Sequence, residues 1–347
     1  VTNALSRVAL GCYPLGGGYG QLSDAEAKRT IDAAIERGWT FFDTAEAYLE
    51  SEERLGRLLG NRRDQVFLAT KVFPCEPYTA ANLRSAVEGS LRRLRTDHID
   101  LYQLHGPENW VVPFDPTPLT EIGDTLARFR DEGKIGHIGV CNFSVDVLQP
   151  LDDSVGLFSM QDLYNLLDPG AEEDLPNLPS VSRKLRYAHE HDVRFIAYSP
   201  LARGLLTDGL AREREFPPDD ERHYLPRYQR GIYEHFADTA SILSAWAADH
   251  GRSLRQLAVA WCLHNPSVTS VLVGAKTAEQ VEQISGAESW ALSEADVAFV
   301  AKTVGDLPAV AREALVTVWD HVSEEALIRL LERRHAQPES VAKEARS

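Results

Sequence analysis

Eight short apolar runs, separated by stretches of helical periodicity, constrain this chain more than any other feature of its sequence. The runs fall at 8–12, 39–43, 66–71, 99–104, 134–140, 157–160, 193–198 and 269–273. Continuous apolar runs of this length, bounded by glycine or polar residues, read as strands buried on both faces. Helical patterns lie between them at 23–38, 54–59, 79–94, 119–132, 145–151, 180–191, 239–250, 254–264 and 278–284. Ser23 with Glu26 makes a capping box and Gly38 a stop, Ser253 caps the 254–264 segment, and Ser51 is a candidate helix start.

Strands that alternate with helices specify a parallel sheet. Eight of them are the number that closes into a (β/α)8 barrel, the TIM-barrel form of the α/β class. The competing architecture is an open doubly wound sheet, which usually carries G-x-G-x-x-G after its first strand. Gly16-Gly-Gly-Tyr-Gly20 lacks that spacing and reads as a flexible loop at the barrel mouth. Residues 1–302 are therefore assigned to the barrel and 303–347 to a C-terminal helical extension. In the extension Leu307, Val310, Ala314, Leu315, Val318, Val322, Leu327, Leu330 and Leu331 recur at helical spacing. This face packs either on the barrel or on a second subunit, and the oligomeric state stays open.

Composition removes several classes of function. With a formal charge of −16 over 347 residues, the chain lacks the basic footprint of a nucleic-acid binder. No apolar run approaches the ~18–20 residues that span a bilayer. Residues 1–7 show no signal-peptide core, so a cytoplasmic location is expected. Cys12, Cys75, Cys141 and Cys262 are widely separated, which suits a reducing compartment and supports neither a disulfide framework nor a zinc site. No H-x-H or H-E-x-x-H spacing occurs, and no metal is expected.

The chemistry gathers at strand ends. A barrel carries its active site where the C-terminal ends of its strands converge. Asp43, Lys71, His105, Asn142, Gln161 and Tyr198 all stand at or just past such ends, and Tyr48 follows Asp43 by five residues. Singly, each has an ordinary structural reading, an Asp as a turn residue or a His as a satisfied core group. A carboxylate, a phenol, a lysine and an imidazole on three neighbouring strand ends are a joint arrangement. A buried Asp43 needs a cationic or hydrogen-bonding partner, because an unpaired buried charge is very costly.

Six stretches carry a family resemblance. They are Phe42-Asp-Thr-Ala-Glu-Ala-Tyr48, Ala69-Thr-Lys71, LRRLRTDHIDLYQLH ending at His105, Gly133-Lys-Ile-Gly-His-Ile-Gly-Val-Cys-Asn-Phe-Ser144, Ala197-Tyr-Ser-Pro-Leu201 and Val273-Gly-Ala-Lys-Thr277. In this order, spread over about residues 8–300, they resemble the aldo-keto reductases. The resemblance implies a (β/α)8 barrel that binds NADPH and transfers hydride to a carbonyl, with a catalytic tetrad at Asp43, Tyr48, Lys71 and His105. An unperturbed phenol has a pKa near ~10. The Lys71 ammonium is expected to draw the Tyr48 phenol down toward the working range, with Asp43 holding Lys71 charged and His105 aligning the carbonyl.

For the cofactor, the resemblance puts Asn142 and Gln161 on the nicotinamide carboxamide and Tyr198 against its ring. Ser199, Leu201 and Arg203 follow the diphosphate. Gly274, Lys276, Thr277 and Gln280 take the adenosine end, with Lys276 as the counter-charge to a 2′-phosphate. The chain departs from the pattern in three places. Cys141 stands where serine is more usual, Gln283 and Ile284 where Glu and Asn are frequent, and Leu49-Glu50 where many relatives have a glycine after the tyrosine. The last substitution predicts a stiffer loop behind the phenol.

Two loops are expected to frame the substrate. The 106–118 loop brings Trp110 and Phe114 as an apolar wall. The 205–236 loop interleaves Arg212, Arg214, Arg222, Arg227 and Arg230 with aromatic residues, and reads either as a solvated charge run or as a lid for an anionic ligand that engages Arg227 and Arg230. The expected function is NADPH-dependent reduction of an aldehyde or ketone, with a sugar or a natural-product intermediate as candidate substrate. Two rivals are an NADPH-binding regulatory subunit of the same fold, with little turnover, and a metal-dependent hydrolase using Asp43, Glu46 and His105.

Overall fold

The computed structural model describes residues 5–73, 77–106, 115–172, 182–217 and 220–315. Eight parallel strands close into one barrel in sequence order: β1 (Val8–Gly11), β2 (Phe41–Asp43), β3 (Phe67–Val72), β4 (Ile99–Leu104), β5 (Ile135–Cys141), β6 (Ser159–Leu163), β7 (Arg194–Tyr198) and β8 (Val268–Gly274). Closure comes from β1 against β8, with Leu10 opposite Val273. The open sheet is thereby excluded.

Helices α1 (Asp24–Glu36), α2 (Ser51–Leu59), α3 (Ala80–Leu94), α4 (Leu119–Asp131), α5 (Val145–Val155) and α6 (Lys184–Glu190) follow the first six strands. After β7 come α7 (Tyr233–Asp249) and α8 (Leu254–His264), and after β8 come α9 (Ala278–Ile284), α10 (Glu294–Gly305) and α11 (Ala309–Glu313). The capping boxes at Ser23 and Ser253 form, each with the serine oxygen accepting from the third-residue amide. Ser51 behaves otherwise. It is the first helical residue of α2, and its hydroxyl donates to the Cys12 carbonyl (2.9 Å) and accepts from Thr44 (2.8 Å), so it ties loops together instead of capping.

Strand alternation sorts the side chains. On β3, Phe67 and Ala69 point into the barrel with Ala9, Phe41, Leu101, Ile196 and Leu272. Leu68 and Val72 face outward into the layer between sheet and helices, and Thr70 donates to Glu52 of α2 (2.6 Å). The same period carries Asp43, Lys71, Gln103, Cys141, Gln161 and Tyr198 to the inward positions nearest the C-terminal rim. One two-residue rhythm both fills the barrel and floors its mouth.

The segment after β8 shows no packing break at the expected boundary. Residue 302 lies within α10, and Val300, Leu307 and Ala311 are buried in one cluster with Phe236, Ala240 and Leu243 of α7. The remainder of the expected extension, with Val318 and Val322 onward, lies outside the described residues. No described helix is long and apolar enough to cross a membrane.

Candidate active site

Lys71, fully buried on β3, directs its ammonium at three oxygens. It donates to Asp43 Oδ2 (2.5 Å), to the Thr44 carbonyl (2.8 Å) and to the Tyr48 hydroxyl (3.4 Å). An ammonium has three protons, so this set uses all of its donor capacity. Asp43, 2 % exposed, is held from the other side, where its Oδ1 accepts from Gln161 (2.8 Å) and Gln103 (3.1 Å). Four groups, Gln103 of β4, Gln161 of β6 and Thr44 and Tyr48 of the segment after β2, thus fix a single ion pair. Gln103 was not singled out from the sequence. The alternation puts it inward on β4, two residues before His105, but does not report its contact with Asp43.

The half-buried Tyr48 ring lies over Lys71, with Nζ 4.8 Å from its centroid, and edge-on to His105 at 5.9 Å. His105 is buried, and its Nδ1 has no hydrogen-bond partner among the described residues. Burial, with Lys71 adding to it, holds the imidazole well below its ordinary pKa, so it is neutral at physiological pH. For Lys71, burial alone would lower the value, but Asp43, followed by Tyr48 and Cys141, outweighs it and keeps the ammonium charged. The phenol differs from the sequence expectation. Burial raises the Tyr48 pKa by more than Lys71 draws it down, and the net direction is upward. Burial likewise pushes up the Cys141 and Cys12 thiols, leaving both protonated.

The loop behind the phenol is tightly confined. A Cβ on Gly16 would lie 2.0 Å from the Tyr48 carbonyl oxygen, so only glycine lets this turn pass beneath Tyr48. The glycine-rich stretch is therefore not a free loop: Tyr13–Gly16 forms a 3-10 turn packed on the site. Leu49, following Tyr48, adopts φ +51, a left-handed conformation that costs a non-glycine residue about 1–2 kcal/mol. Aromatic rings finish the mouth, with Tyr13 edge-on to Tyr48 at 5.1 Å and Phe73 edge-on to His105 at 6.0 Å. Neither ring was anticipated. Trp110 and Phe114 lie outside the described residues.

On the opposite side of the mouth, Tyr198 donates to Asn142 Oδ1 (2.8 Å), and Asn142 itself has φ +63. This fixes the amide with its NH2 buried and without a partner among the described residues. Gln161 is engaged differently from Asn142: its NH2 serves Asp43, and its Oε1 accepts from the Cys141 thiol (3.4 Å). Past β7, Ser199, Ala202 and Arg203 all have positive φ, with Leu201 between them. At the end of β8, Thr277 caps α9, Gln280 Oε1 accepts from the Lys276 amide (2.7 Å), and Lys276 Nζ donates to the Tyr19 carbonyl (2.7 Å). Gly274 pairs with Gly11 at the rim where the barrel closes.

The arginines of the 205–236 loop are not equivalent. Arg227, read from the sequence either as a solvated charge or as a ligand-facing cation, is neither: it is 4 % exposed and forks onto Asp168 (3.0 and 3.1 Å). Arg222 is likewise paired, forking onto Asp220 (2.9 and 2.6 Å), and its guanidinium lies over the Phe216 ring (4.6 Å) and the Tyr19 ring (5.3 Å). Among the described residues, no group of three His, Cys, Asp or Glu side chains is arranged to hold a metal ion.

Comparisons with known proteins agree with this fold. The model of the "Aldo/keto reductase family" matches residues 7–305. The aldo-keto reductase YhdN of Bacillus subtilis (strain 168) is 34 % identical over 304 residues, covering 84 % of this chain and 87 % of that one. The structure of the glycerol dehydrogenase AKR11B4 from Gluconobacter oxydans superposes with a TM-score of 0.76 at 32 % identity, over 87 % of this chain and 92 % of that one. An aldo-keto reductase from Klebsiella pneumoniae, crystallised in complex with NADPH, gives 0.67 at 27 % identity, over 86 % and 90 %.

Proposed function

The chain belongs to the aldo/keto reductase family, and we propose that it is an NADPH-dependent reductase of an aldehyde or ketone. The observation that carries this reading is the Lys71 ammonium, held between Asp43 and the Tyr48 hydroxyl beside a neutral His105. When bound, NADPH supplies the hydride to the carbonyl carbon. The protein's part is then to bind, orient and protonate. Negative charge grows on the carbonyl oxygen, and Tyr48 is the proton donor. Its raised pKa keeps the phenol protonated until that charge develops, and the Lys71 ammonium stabilises the phenolate left behind. A neutral His105 can donate one N–H to the same oxygen and align it. Asp43 touches no reacting atom in this scheme; it keeps Lys71 charged and in place.

The residues fit the cofactor. A buried, unpartnered Asn142 NH2 suits an amide carbonyl such as that of the nicotinamide carboxamide, and Tyr198, which orients Asn142, suits the ring. Gln161 backs this end through Asp43. Ser199, Leu201 and Arg203 are assigned to the diphosphate, and Gly274, Lys276, Thr277 and Gln280 to the adenosine end. The Lys276 ammonium there is the counter-charge that favours a 2′-phosphate. Because a relative is a glycerol dehydrogenase, small sugars and triose carbonyls are the first substrates to try.

The test is NADPH oxidation across a panel of aldehydes, ketones and sugars, repeated with Tyr48→Phe. Turnover falls by about 10²–10⁴-fold in that variant if the phenol is the acid, while NADPH still binds. Unchanged turnover overturns the assignment. NADPH binding without turnover on any carbonyl favours the regulatory-subunit reading instead.

A further inference from the structure

The segment after β7 is held in an unusual way. Within 199–203, Ser199, Ala202 and Arg203 have φ of +56, +45 and +54 although none is glycine. Conformations of this kind are costly for residues other than glycine and persist only where the surroundings over-determine them. Three side chains bond this segment, one of them Arg222, whose Nη1 donates to the Arg203 carbonyl (3.4 Å). Asn165 Nδ2 donates to the Ser199 carbonyl (3.1 Å), and the Tyr228 hydroxyl is shared between the carbonyls of Ala202 (2.9 Å) and Arg203 (3.2 Å). All three strained residues are therefore pinned by their carbonyl oxygens.

The two clamps share one foundation. Asn165 also donates to Asp168 Oδ2 (3.1 Å) and accepts the Asp168 amide (3.0 Å). Arg227, adjacent to Tyr228, forks onto the same carboxylate, with side-chain exposures of 5 % and 8 % for the pair. Arg227 also donates to the Leu315 carbonyl (3.0 Å), which ties in the chain just past α11. A buried ion pair with this many bonds fixes geometry more than it adds stability. What it fixes is neither barrel nor helix but a strained backbone turn that directly follows β7 at the C-terminal rim of the barrel. Turns of this handedness gather backbone N–H groups into anion-binding hollows.

We propose that Asn165, Asp168, Arg227 and Tyr228 form a brace that presets the 199–203 turn for the cofactor diphosphate, making them positioning residues for NADPH affinity. The inference rests on the function proposed above. It gives the 205–236 loop a role different from that of a substrate lid: Arg227 works from beneath the cofactor segment, not over the substrate.

Tyr228→Phe, which removes a single oxygen, and Asp168→Asn, which keeps the shape and removes the charge, test this. NADPH dissociation constants are measured by fluorescence titration, with KM for both substrates, kcat and melting temperature on the same preparations. Losing one such hydrogen bond weakens NADPH binding about three- to tenfold, with a matching rise in KM for NADPH. KM for the carbonyl moves less than twofold. Should Asp168→Asn not fold, Tyr228→Phe carries the test alone. A lower melting temperature with unchanged NADPH affinity means a purely structural brace and overturns the proposal. Absence of NADPH binding by the wild-type chain overturns the underlying function and the brace together, whereas wild-type binding with unaffected variants removes only the brace.

Discussion

Two lysine–aspartate pairs are buried among the described residues, and they do different things. Lys71–Asp43 lies on the inward face of the barrel strands, at the mouth. Lys184–Asp162 lies on the outward face, where the first turn of α6 meets β6. Both lysines are 0 % exposed. The difference is in the third partners. Lys71 spends its remaining donors on the Thr44 carbonyl and a phenol, and Asp43 is shared with two carboxamides. Among the described residues, Asp162 accepts only from Lys184 and from the Leu163 amide (2.9 Å). Burial raises the Asp162 carboxyl pKa by more than Lys184 lowers it. An ion pair becomes chemical equipment when a titratable group at the mouth is wired to it; without that group it pins a helix to a sheet.

The largest break in this comparison should come from Lys71→Met, with a loss of turnover of at least about 10²-fold as the phenolate loses its ammonium, followed by steady-state kinetics. Lys184→Met should leave turnover of the folded enzyme intact. It should cost about 3–5 kcal/mol of stability, because it strands a buried carboxylate, as read by denaturant unfolding. If Lys184→Met abolished turnover in folded protein, the division between the two pairs would collapse.

Acid titration sharpens the contrast further. His105 has a depressed pKa in the folded state, so the unfolded chain binds its proton first as pH falls. Its contribution to stability is full above the unfolded value near ~6.5 and is lost as pH drops below it. Asp162 has the opposite sign: its raised carboxyl favours the folded state below the unfolded value near ~3.9, and that advantage is lost as pH rises through the folded value. Unfolding curves from pH 7 to 5 should therefore fall less steeply for His105→Gln than for the wild type. The smallest effect is expected from Leu49→Gly. Relief of the left-handed backbone there should raise stability by up to about 1 kcal/mol, visible as a shifted denaturant midpoint.

The barrel and its polar mouth were legible because both follow from a two-residue period. That period says which side of the sheet Asp43, Lys71 and Tyr198 occupy, and the strand ends say at what height. Which inward residues touch was not legible. Gln103 was passed over because nothing local to β4 reports that Asp43 needs a third donor. Arg227 was misassigned for the same reason: its partner Asp168 is 59 residues earlier and belongs to another loop. The direction of the Tyr48 shift depends on how deeply the ring is buried, which the assembled fold decides. Leu49 is a further case. A leucine where glycine is frequent pointed only to a stiffer loop, and the left-handed φ of +51 found there was not foreseen.

Barrel closure also has a consequence in time. β1 is the first strand made, but one of its two neighbours is β8, some 260 residues later. A chain emerging from the ribosome therefore carries an unpaired β1 edge until the eighth strand has been synthesised. Lys276 lies two residues beyond that last strand and reaches the Tyr19 carbonyl across the seam. On the proposed assignment, completing the fold and completing the adenosine end of the cofactor site are thus one late event, and a chain interrupted before β8 would have the proposed acid–base strands but nothing to hold the coenzyme's far end.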